Sequence, residues 1–503
     1  MSLLSPAISR LIKMRIWSIE QWLDNPLEAQ RDLLLHIINQ GQYTQFGKQY
    51  NFENINNYTN FCAKVPIQPY ENFEPYISQM MAGEENILWN TPIKWFAKSS
   101  GTTAGKSKFI PLSNESIQHN HFLASKDVLT LYYLNNPNSN LLNGKNLIIG
   151  GSLKISEVNE DVSTGDLSAI LMQNSPFWVD WVRTPDLNTL LLEDWEEKLG
   201  KLVDTTITEN VTSISGVPTW TLMLLRRILA KTKAHNIAEV WPNLELYMTG
   251  GVSFTPYQNE FENLIGKPIK YLDMYNASEG FFAAQTCNQH NGLTLMLSHG
   301  VFYEFIVMDT FNNPAPTIVA LNSVALNINY AMVITTLSGL YRYIIGDTVM
   351  FTSINPYRIK ITGRTKHFIN AFGEELIIDN ADAAIAQAAK ITNATVIDYT
   401  AAPIYFEGNN KATHEWLIAF ATPPNSLQQF TEILDQTLKN INSDYEAKRY
   451  KNIALTMPKI IATPPNLFNQ WLQSKGKLGG QHKVPRLSNN RNIIDQIKQI
   501  ANL

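Results

Sequence analysis

Ser99-Ser100-Gly101-Thr102-Thr103-Ala104-Gly105-Lys106-Ser107-Lys108 places hydroxyls, glycines and lysines side by side. Hydroxyls and backbone N–H groups in such a run can wrap β- and γ-phosphate oxygens, while Lys106 or Lys108 offsets their charge. The spacing argues against a P-loop, which needs four residues between its first glycine and the Gly-Lys-Ser/Thr. Only Thr102, Thr103 and Ala104 separate Gly101 from Gly105. What remains is a flexible Ser/Thr/Gly loop of the kind that holds ATP for adenylate transfer, or a solvated turn, since the same residues mark turns. The rest of the chain has to choose between them.

The chain has 503 residues, 44% of them hydrophobic and 11% aromatic, enough to fill the cores of two to four domains. Lys+Arg number 40 against Asp+Glu 44, so no basic excess favours nucleic acid as a partner. Cys62 and Cys287 stand far apart without metal-ligand or disulfide-framework spacing, which fits a reducing cytoplasm. Met1 to Leu23 mixes Arg10, Lys13, Arg15 and Glu20 with apolar residues at helical spacing and reads as an amphipathic helix rather than a signal peptide. The most apolar candidate, around Ala331 to Ile345, is interrupted by Thr, Ser, Gly, Tyr and Arg, so no membrane span is expected.

Short β-rich runs alternate with helical patterns. Asn146–Ile149, Thr212–Ser215, Leu244–Met248, Ile269–Met274, Phe302–Met308 and Met332–Thr336 read as strands, and Trp220–Ala234 and Pro256–Leu264 as helices. The pattern predicts an α/β fold with mostly covered sheets and motif loops at strand ends, where ligands collect in open α/β sheets. Past Lys366 the pattern becomes α+β: a helix over Asp379–Lys390, strands at Thr395–Tyr399, Trp416–Phe420 and Ile453–Met457, and a helix over Leu427–Ile441. A Gly/Lys-rich segment from Ser474 to Arg486 and a short helix from Asn490 follow.

Four further segments offer parts of an adenylating site. Tyr275-Asn276-Ala277-Ser278-Glu279-Gly280 supplies an aromatic face for a base, a hydroxyl for a phosphate and a carboxylate for Mg²⁺. In Tyr341-Arg342-Tyr343-Ile344-Ile345-Gly346-Asp347, the Asp347 oxygens can accept from two ribose hydroxyls. Gly363-Arg364 adds a guanidinium for ribose or the α-phosphate, and in Thr249-Gly250-Gly251 the glycines Gly250 and Gly251 let backbone approach an adenine ring. Taken singly, each is also an ordinary turn or strand end.

With Val217-Pro218-Thr219 and Gly363–Gly373, these segments resemble the ordered motifs of the adenylate-forming superfamily: acyl-CoA synthetases, peptide-synthetase adenylation domains and luciferases. More closely, Val65-Pro66-Ile67, Pro69-Tyr70-Glu71, Met80, Gly83-Glu84 and Pro92-Ile93-Lys94-Trp95-Phe96-Ala97 are similar to the auxin-responsive Gretchen-Hagen family of acyl acid amido synthetases. So are Asn370-Ala371-Phe372-Gly373-Glu374-Glu375, Asp444-Tyr445-Glu446-Ala447-Lys448-Arg449 and Gln481-His482-Lys483-Val484-Pro485-Arg486, which extends the resemblance over essentially the whole chain. The resemblance implies a large N-terminal adenylation domain of several subdomains, over residues 1–365, with β-sheets flanked by helices. A small mobile α+β C-terminal domain over 366–503, hinged near Lys366, would rotate over it.

It also implies two half-reactions: a carboxylic acid and ATP give acyl-AMP and pyrophosphate, then an amino-acid amine attacks the acyl carbon. Ser99, Ser100, Thr102 and Thr103 would contact phosphates, Tyr275, Ser278 and Glu279 would hold nucleotide and Mg²⁺, and Asp347 and Arg364 would take ribose. A C-terminal lysine, Lys483 ahead of Lys475 and Lys477, would steady the charge that builds at the α-phosphate. The partners implied are a small carboxylic acid and an amino acid, with no nucleic acid or membrane, for a monomer. Adenylation motifs alone also fit an acyl-CoA synthetase, and a non-catalytic nucleotide- or acid-binding protein is a further alternative. Outside these motifs, His119 and His121 lack a third metal ligand. Trp178, Trp181 and Trp195 read as packing before an aryl-acid pocket, and His299 as a core histidine before a polar group at the acyl site.

Overall fold

The computed structural model of the chain describes residues 5–503 except 104–105, 151–152, 156–161, 178, 193, 253, 255–256, 287–291, 366–367, 407–411, 453, 476–483 and 502. Its backbone is one twelve-stranded sheet among the described residues, running Ile318–Ala320, Val301–Val307, Asn329–Thr336, Tyr343–Ile354, Tyr357–Arg364, Leu293–Leu295, Gly280–Ala284, Lys270–Ala277, Leu246–Gly250, Val211–Ser215, Lys145–Ile148 and Arg183–Thr184. All six strands expected in this region are present, shifted by at most a few residues.

The sheet changes character at Lys270–Ala277. Every pairing on the Ile318–Ala320 side is antiparallel, and every pairing from Lys270–Ala277 to Arg183–Thr184 is parallel. Parallel neighbours need crossovers, and helices supply them. Helix Pro218–Thr232 starts with proline in its first turn, where no N–H is needed, and stops at Lys233 in the left-handed conformation. Leu222, Leu224, Leu225 and Ile228 on its inner face pack with Leu202, Trp241 and Tyr247. Helix Gln258–Ile265 closes with Gly266 at φ +75°.

A second sheet orders Lys106–Leu112, Trp95–Thr103, Ser163–Gly165 and Leu153–Ile155. The flexible loop expected over Ser99–Lys108 is therefore corrected: its two halves are antiparallel strands, with Trp95 opposite Leu112 and Ser99 opposite Lys108. The threonines and the flanking Trp95-Phe96-Ala97 and Phe109-Ile110 suit a pleated, half-buried surface, and this outweighs the turn signal of the glycines.

After Arg364 come a small sheet of Thr395–Ile404, Thr413–Thr422 and Lys459–Thr463 and, among the described residues, five helices, Ile378–Ile391, Leu427–Ile441, Ser443–Arg449, Leu467–Ser474 and Asn492–Ala501. Alternation along Thr413–Thr422 splits its core: Trp416 and Ile418 face Phe430, Leu434 and Ala384, while Leu417 and Ala419 face Phe468, Ile494 and Ile497. The strand expected at Ile453–Met457 is not there; residues 454–457 are irregular, and the strand lies at Lys459–Thr463. Pro458 has no N–H to give a ladder, so pairing begins one residue after it.

The C-terminal unit is seated on the larger one. The Tyr257 hydroxyl donates to the Ala371 carbonyl. The Arg226 guanidinium stands 5.4 Å from the Phe406 ring centre, and the Lys448 ammonium 4.3 Å from that of Trp220. Residues 366–367, with the expected hinge Lys366, lie outside the described residues. No described helix is long and apolar enough to cross a membrane. The expected N-terminal helix forms as Ser5–Asp24, its Arg15 bonded to the buried Asp127.

Candidate active site

Asp347 and Arg364 are cross-strand partners on Tyr343–Ile354 and Tyr357–Arg364. Asp347 is thus a strand residue, entered through Gly346 at φ +95°. Its Oδ1 accepts from Arg364 Nε at 2.7 Å, and its Oδ2 from the Tyr275 hydroxyl at 2.7 Å. Arg364 also reaches Glu375 across 3.5 Å and lies 5.0 Å from the Phe368 ring centre. Burial opposes its charge, but Glu375 and Asp347 outweigh that and hold it ionised. Tyr275, buried and beside Asp347, has its hydroxyl pushed far above the usual tyrosine range. Each Asp347 oxygen keeps a further acceptor position for a ligand hydroxyl.

Glu279 sits with Ser278 at the tip of the turn joining Lys270–Ala277 to Gly280–Ala284. Asn120 fixes this turn from behind: its Oδ1 accepts from Phe281 N at 2.7 Å, and its Nδ2 donates to Phe281 O at 3.0 Å. Glu279 is 7% exposed, and its carboxylate accepts from the Tyr343 hydroxyl at 3.3 Å. Burial raises its pKa, and nearby Lys108 opposes the rise. Lys108 in turn is pulled down by burial and up by Glu279 and Glu71. Because Ser99 lies opposite Lys108, the hairpin brings its hydroxyl strand to the same place.

Gly250 ends its strand opposite Met274, where a Cβ would stand 2.9 Å from Asn276 Oδ1 and 2.9 Å from Met274 O. Gly251 follows at φ +82°, and its carbonyl accepts from Asn370 Nδ2 at 3.4 Å. The structure thus joins Tyr275, Asp347 and Arg364 by direct contacts, sets Glu279, in its turn with Ser278, beside Lys108 and hence the Ser99 strand, and places Gly250 and Gly251 at the end of the strand that pairs with that of Tyr275. Ser100, Thr102 and Thr103 lie on the hairpin backbone, with side chains outside the described residues. Lys483 and Lys477 also lie outside them; Lys475 follows helix Leu467–Ser474, where the far core of the small sheet is built.

Other segments named from the sequence turn out to brace this site. Arg342 donates to Glu304 at 2.9 and 2.8 Å and to the Val65 carbonyl at 2.7 Å, and Gln68 pairs with the backbone of Arg342 and Ile344. The Tyr70 hydroxyl accepts from Phe109 N at 2.9 Å. The early Val-Pro-Ile and Pro-Tyr-Glu residues thereby clamp the Asp347 strand and the hairpin. His299 is a core residue paired with Asp127 at 2.9 Å, and His121 is buried, its pKa pushed down to about 4. Trp181 is exposed against Phe177, Trp178 lies outside the described residues, and the Trp195 side chain is likewise not described. Sequence reasoning gave no role to Tyr343, Glu375 or Trp220, whose partners lie far away in the chain.

A Mg²⁺ ion carried by ATP needs one or two carboxylates plus phosphate oxygens and waters. Glu279 fits that role as a buried carboxylate next to the hairpin, and no group of three or more metal-ligating side chains occurs among the described residues.

Known proteins match this chain along most of its length. The GH3 family N-terminal domain matches residues 15–269, the central domain 294–364 and the C-terminal domain 379–492. Indole-3-acetic acid-amido synthetase GH3.3 of Arabidopsis thaliana is 21% identical, over 93% of this chain and 90% of its own length. The 4-substituted benzoates-glutamate ligase GH3.12 of Arabidopsis thaliana is 21% identical, over 92% of this chain and 93% of its own. The solved structure of AtGH3.15 acyl acid amido synthetase in complex with 2,4-DB aligns with a TM-score of 0.63 at 17% identity, covering 97% of this chain and 96% of that one. With its N-terminal match alone covering half of the sequence, and matches to all three domains in order, the chain belongs to the GH3 family.

Proposed function

We propose that this chain is an ATP-dependent acid–amino acid ligase, which activates a small carboxylic acid as acyl-AMP and transfers the acyl group to an amino-acid amine. The observation that carries the reading is the Asp347–Arg364–Tyr275 cluster beside Glu279 and Lys108. Relatives named for indole-3-acetic acid amides and benzoate–glutamate ligation support the acid and acceptor classes.

In the first half-reaction Asp347 receives ribose hydroxyls, and the Gly250–Gly251 backbone and Tyr275 border the base. Ser99, Ser100, Thr102 and Thr103 hold the β- and γ-phosphates, with Lys108 offsetting charge. Glu279 would hold the Mg²⁺ that accompanies ATP, an ion that would supply neutralisation of charge on the leaving pyrophosphate. Arg364 is kept ionised by Asp347 and Glu375 and offers its remaining N–H groups to ribose or the α-phosphate. Lys483, on the C-terminal unit, stabilises the charge of α-phosphate attack, and rotation of 366–503 about Lys366 exchanges it for the acceptor machinery. Both units lie in one chain, so a monomer suffices, and the spacing of Cys62 and Cys287 suits a reducing cytoplasm.

The test is pyrophosphate release from ATP and Mg²⁺ with pooled indolyl, aryl and aliphatic acids, alone or with mixed amino acids or CoA, with products identified by mass. An acid-dependent signal ending in an N-acyl amino acid is expected. A thioester product would make the chain an acyl-CoA synthetase, and nucleotide binding without turnover would leave only a binding role.

A further inference from the structure

Helix Ser443–Arg449 carries a carboxylate to the edge of this site and leaves part of it unused. Asp444 Oδ2 is buried and has no hydrogen-bond partner among the described residues. The residue is firmly placed: Asn442 Oδ1 accepts from Asp444 N at 3.0 Å and Tyr445 N at 2.8 Å. Asn442 Nδ2 donates to the carbonyls of Glu374 at 3.0 Å and Glu375 at 3.3 Å. Glu375 is the residue that meets Arg364, so a continuous chain of contacts runs from Asp347 through Arg364, Glu375 and Asn442 to the helix start. One turn further on, the buried Lys448 ammonium lies 4.3 Å from the Trp220 ring centre, and a Cβ at Gly373 would stand 3.2 Å from its Nζ.

The charged groups acting on Asp444 come from every element around it: Glu375 from the loop before Ile378–Ile391, Lys448 from its own helix, Asp166 from the start of Leu167–Gln173, and Lys98 from the hairpin strand. Burial first, then Glu375 and Asp166, push its pKa up; Lys448 and Lys98 pull it down, and it settles at about 7. Glu375 is already matched by Arg364, so the buried, unpartnered Asp444 oxygen is what this corner offers to an incoming ammonium. Through Asn442 and Glu375 the helix start adjoins the Arg364–Asp347 pair, and the charge of Lys98 on the phosphate hairpin also reaches Asp444, so the acyl-phosphate bond of an acyl-adenylate held by both would lie near it.

We propose that Asp444 receives and deprotonates the ammonium of the acceptor amine, and that Lys448 is the residue that positions and tunes it; this rests on the amido synthetase reading above. At neutral pH an amino acid's amine is held mostly as ammonium, which has no lone pair to attack with. Asp444 takes one proton, and the freed pair forms the N–C bond to the acyl carbonyl carbon. The C–O bond to the phosphate breaks, its electron pair leaving with AMP, and the second surplus proton on nitrogen passes to water. A base that titrates near the working pH suits this transfer.

The test separates the half-reactions in the full chain. With Asp444→Asn, acid-dependent pyrophosphate release without acceptor stays at the wild-type level, while single-turnover amide formation with amino acids falls about 100-fold. Hydroxylamine, which keeps a free lone pair at neutral pH, is acylated by the variant at the wild-type rate, and Asp444→Glu recovers part of the amino-acid rate. Lys448→Met moves the pH profile of amide formation upward, because the cation that lowers the Asp444 pKa is gone, with the rate regained at higher pH. Equal losses with hydroxylamine and amino acids, an unmoved profile in Lys448→Met, or an undiminished amide rate in Asp444→Asn would overturn the proposal. Absence of any acyl-adenylate from the wild-type chain would instead overturn the amido synthetase reading, and this proposal with it.

Discussion

At Asp347 two neighbours already share the carboxylate, and this changes what a substitution there should do. Asp347→Ala leaves the buried Tyr275 hydroxyl without its acceptor, at a cost of about 1–3 kcal/mol in stability. The cleaner variant is Asp347→Asn, which keeps one side-chain acceptor and loses the charge that holds Arg364. Its acid-dependent pyrophosphate release should fall about 10- to 100-fold, the worth of one charge-assisted hydrogen bond, with a denaturation midpoint close to wild type. A wild-type rate would remove Asp347 from the nucleotide site. Asp347 and Arg364, each after a glycine, and Glu279, before one, could be picked out from the sequence as candidates because each sits in a short, ordered motif. Asp444 and Lys448 were visible only as part of a matching segment. Their chemistry depends on Lys98, Asp166, Trp220 and Glu375, which no local pattern brings together.

Among the elements, helix Ser443–Arg449 depends on a single cap. Asn442 bonds two of its first N–H groups and two carbonyls of the 374–375 loop, so Asn442→Ala should cost about 1–2 kcal/mol, read as a lower denaturation midpoint. An unchanged midpoint would mean that Tyr445 and Arg449, both bonded to Asp435, hold the helix without the cap. The last helix, Asn492–Ala501, is tied to the small sheet by Glu415, which meets Arg491, Lys498 and Lys459. Burial pushes the Glu415 pKa up, but the hydrogen bonds from Arg491, Lys459 and Lys498 prevail and hold it at about 2, below the ordinary 4.5. A depressed carboxylate stabilises the fold above its unfolded pKa and loses that contribution as pH falls through the folded one. Acid titration should therefore cost wild-type stability between about pH 4.5 and 2, with a smaller loss over that window in Glu415→Gln. Equal losses in both would show that other carboxylates carry the acid response. Strands rich in aromatic and β-branched residues, such as Val301–Val307, were legible from sequence. The alternating Ile453, Leu455 and Met457 misled, because Leu455 N bonds Lys448 O and Thr456 N bonds Ala412 O in a crossing segment, and the ladder waits for the residue after Pro458.

Across the whole molecule, the small C-terminal sheet has two faces with different neighbours. One shares a continuous core with Tyr257 and Phe254 of the larger unit and carries helix Ser443–Arg449 toward Arg364; the other buries Val484, the residue after Lys483, against Phe468 and Ile494. A unit that presents Asp444 in one seating and Lys483 in another would serve the two half-reactions in turn, and the proposed rotation near Lys366 supplies the change of seating. The two variants should then dissociate. Lys483→Ala slows acid-dependent pyrophosphate release, yet converts added acyl-adenylate and amino acid to amide at the wild-type rate. Asp444→Asn forms the adenylate normally and stalls at the amide. Stopped-flow release and single-turnover amide assays on both variants decide the matter: if each loses both steps to the same extent, one fixed arrangement of the two units serves the entire reaction, and the contacts of Tyr257 with Ala371 and Trp220 with Lys448 are permanent parts of the fold.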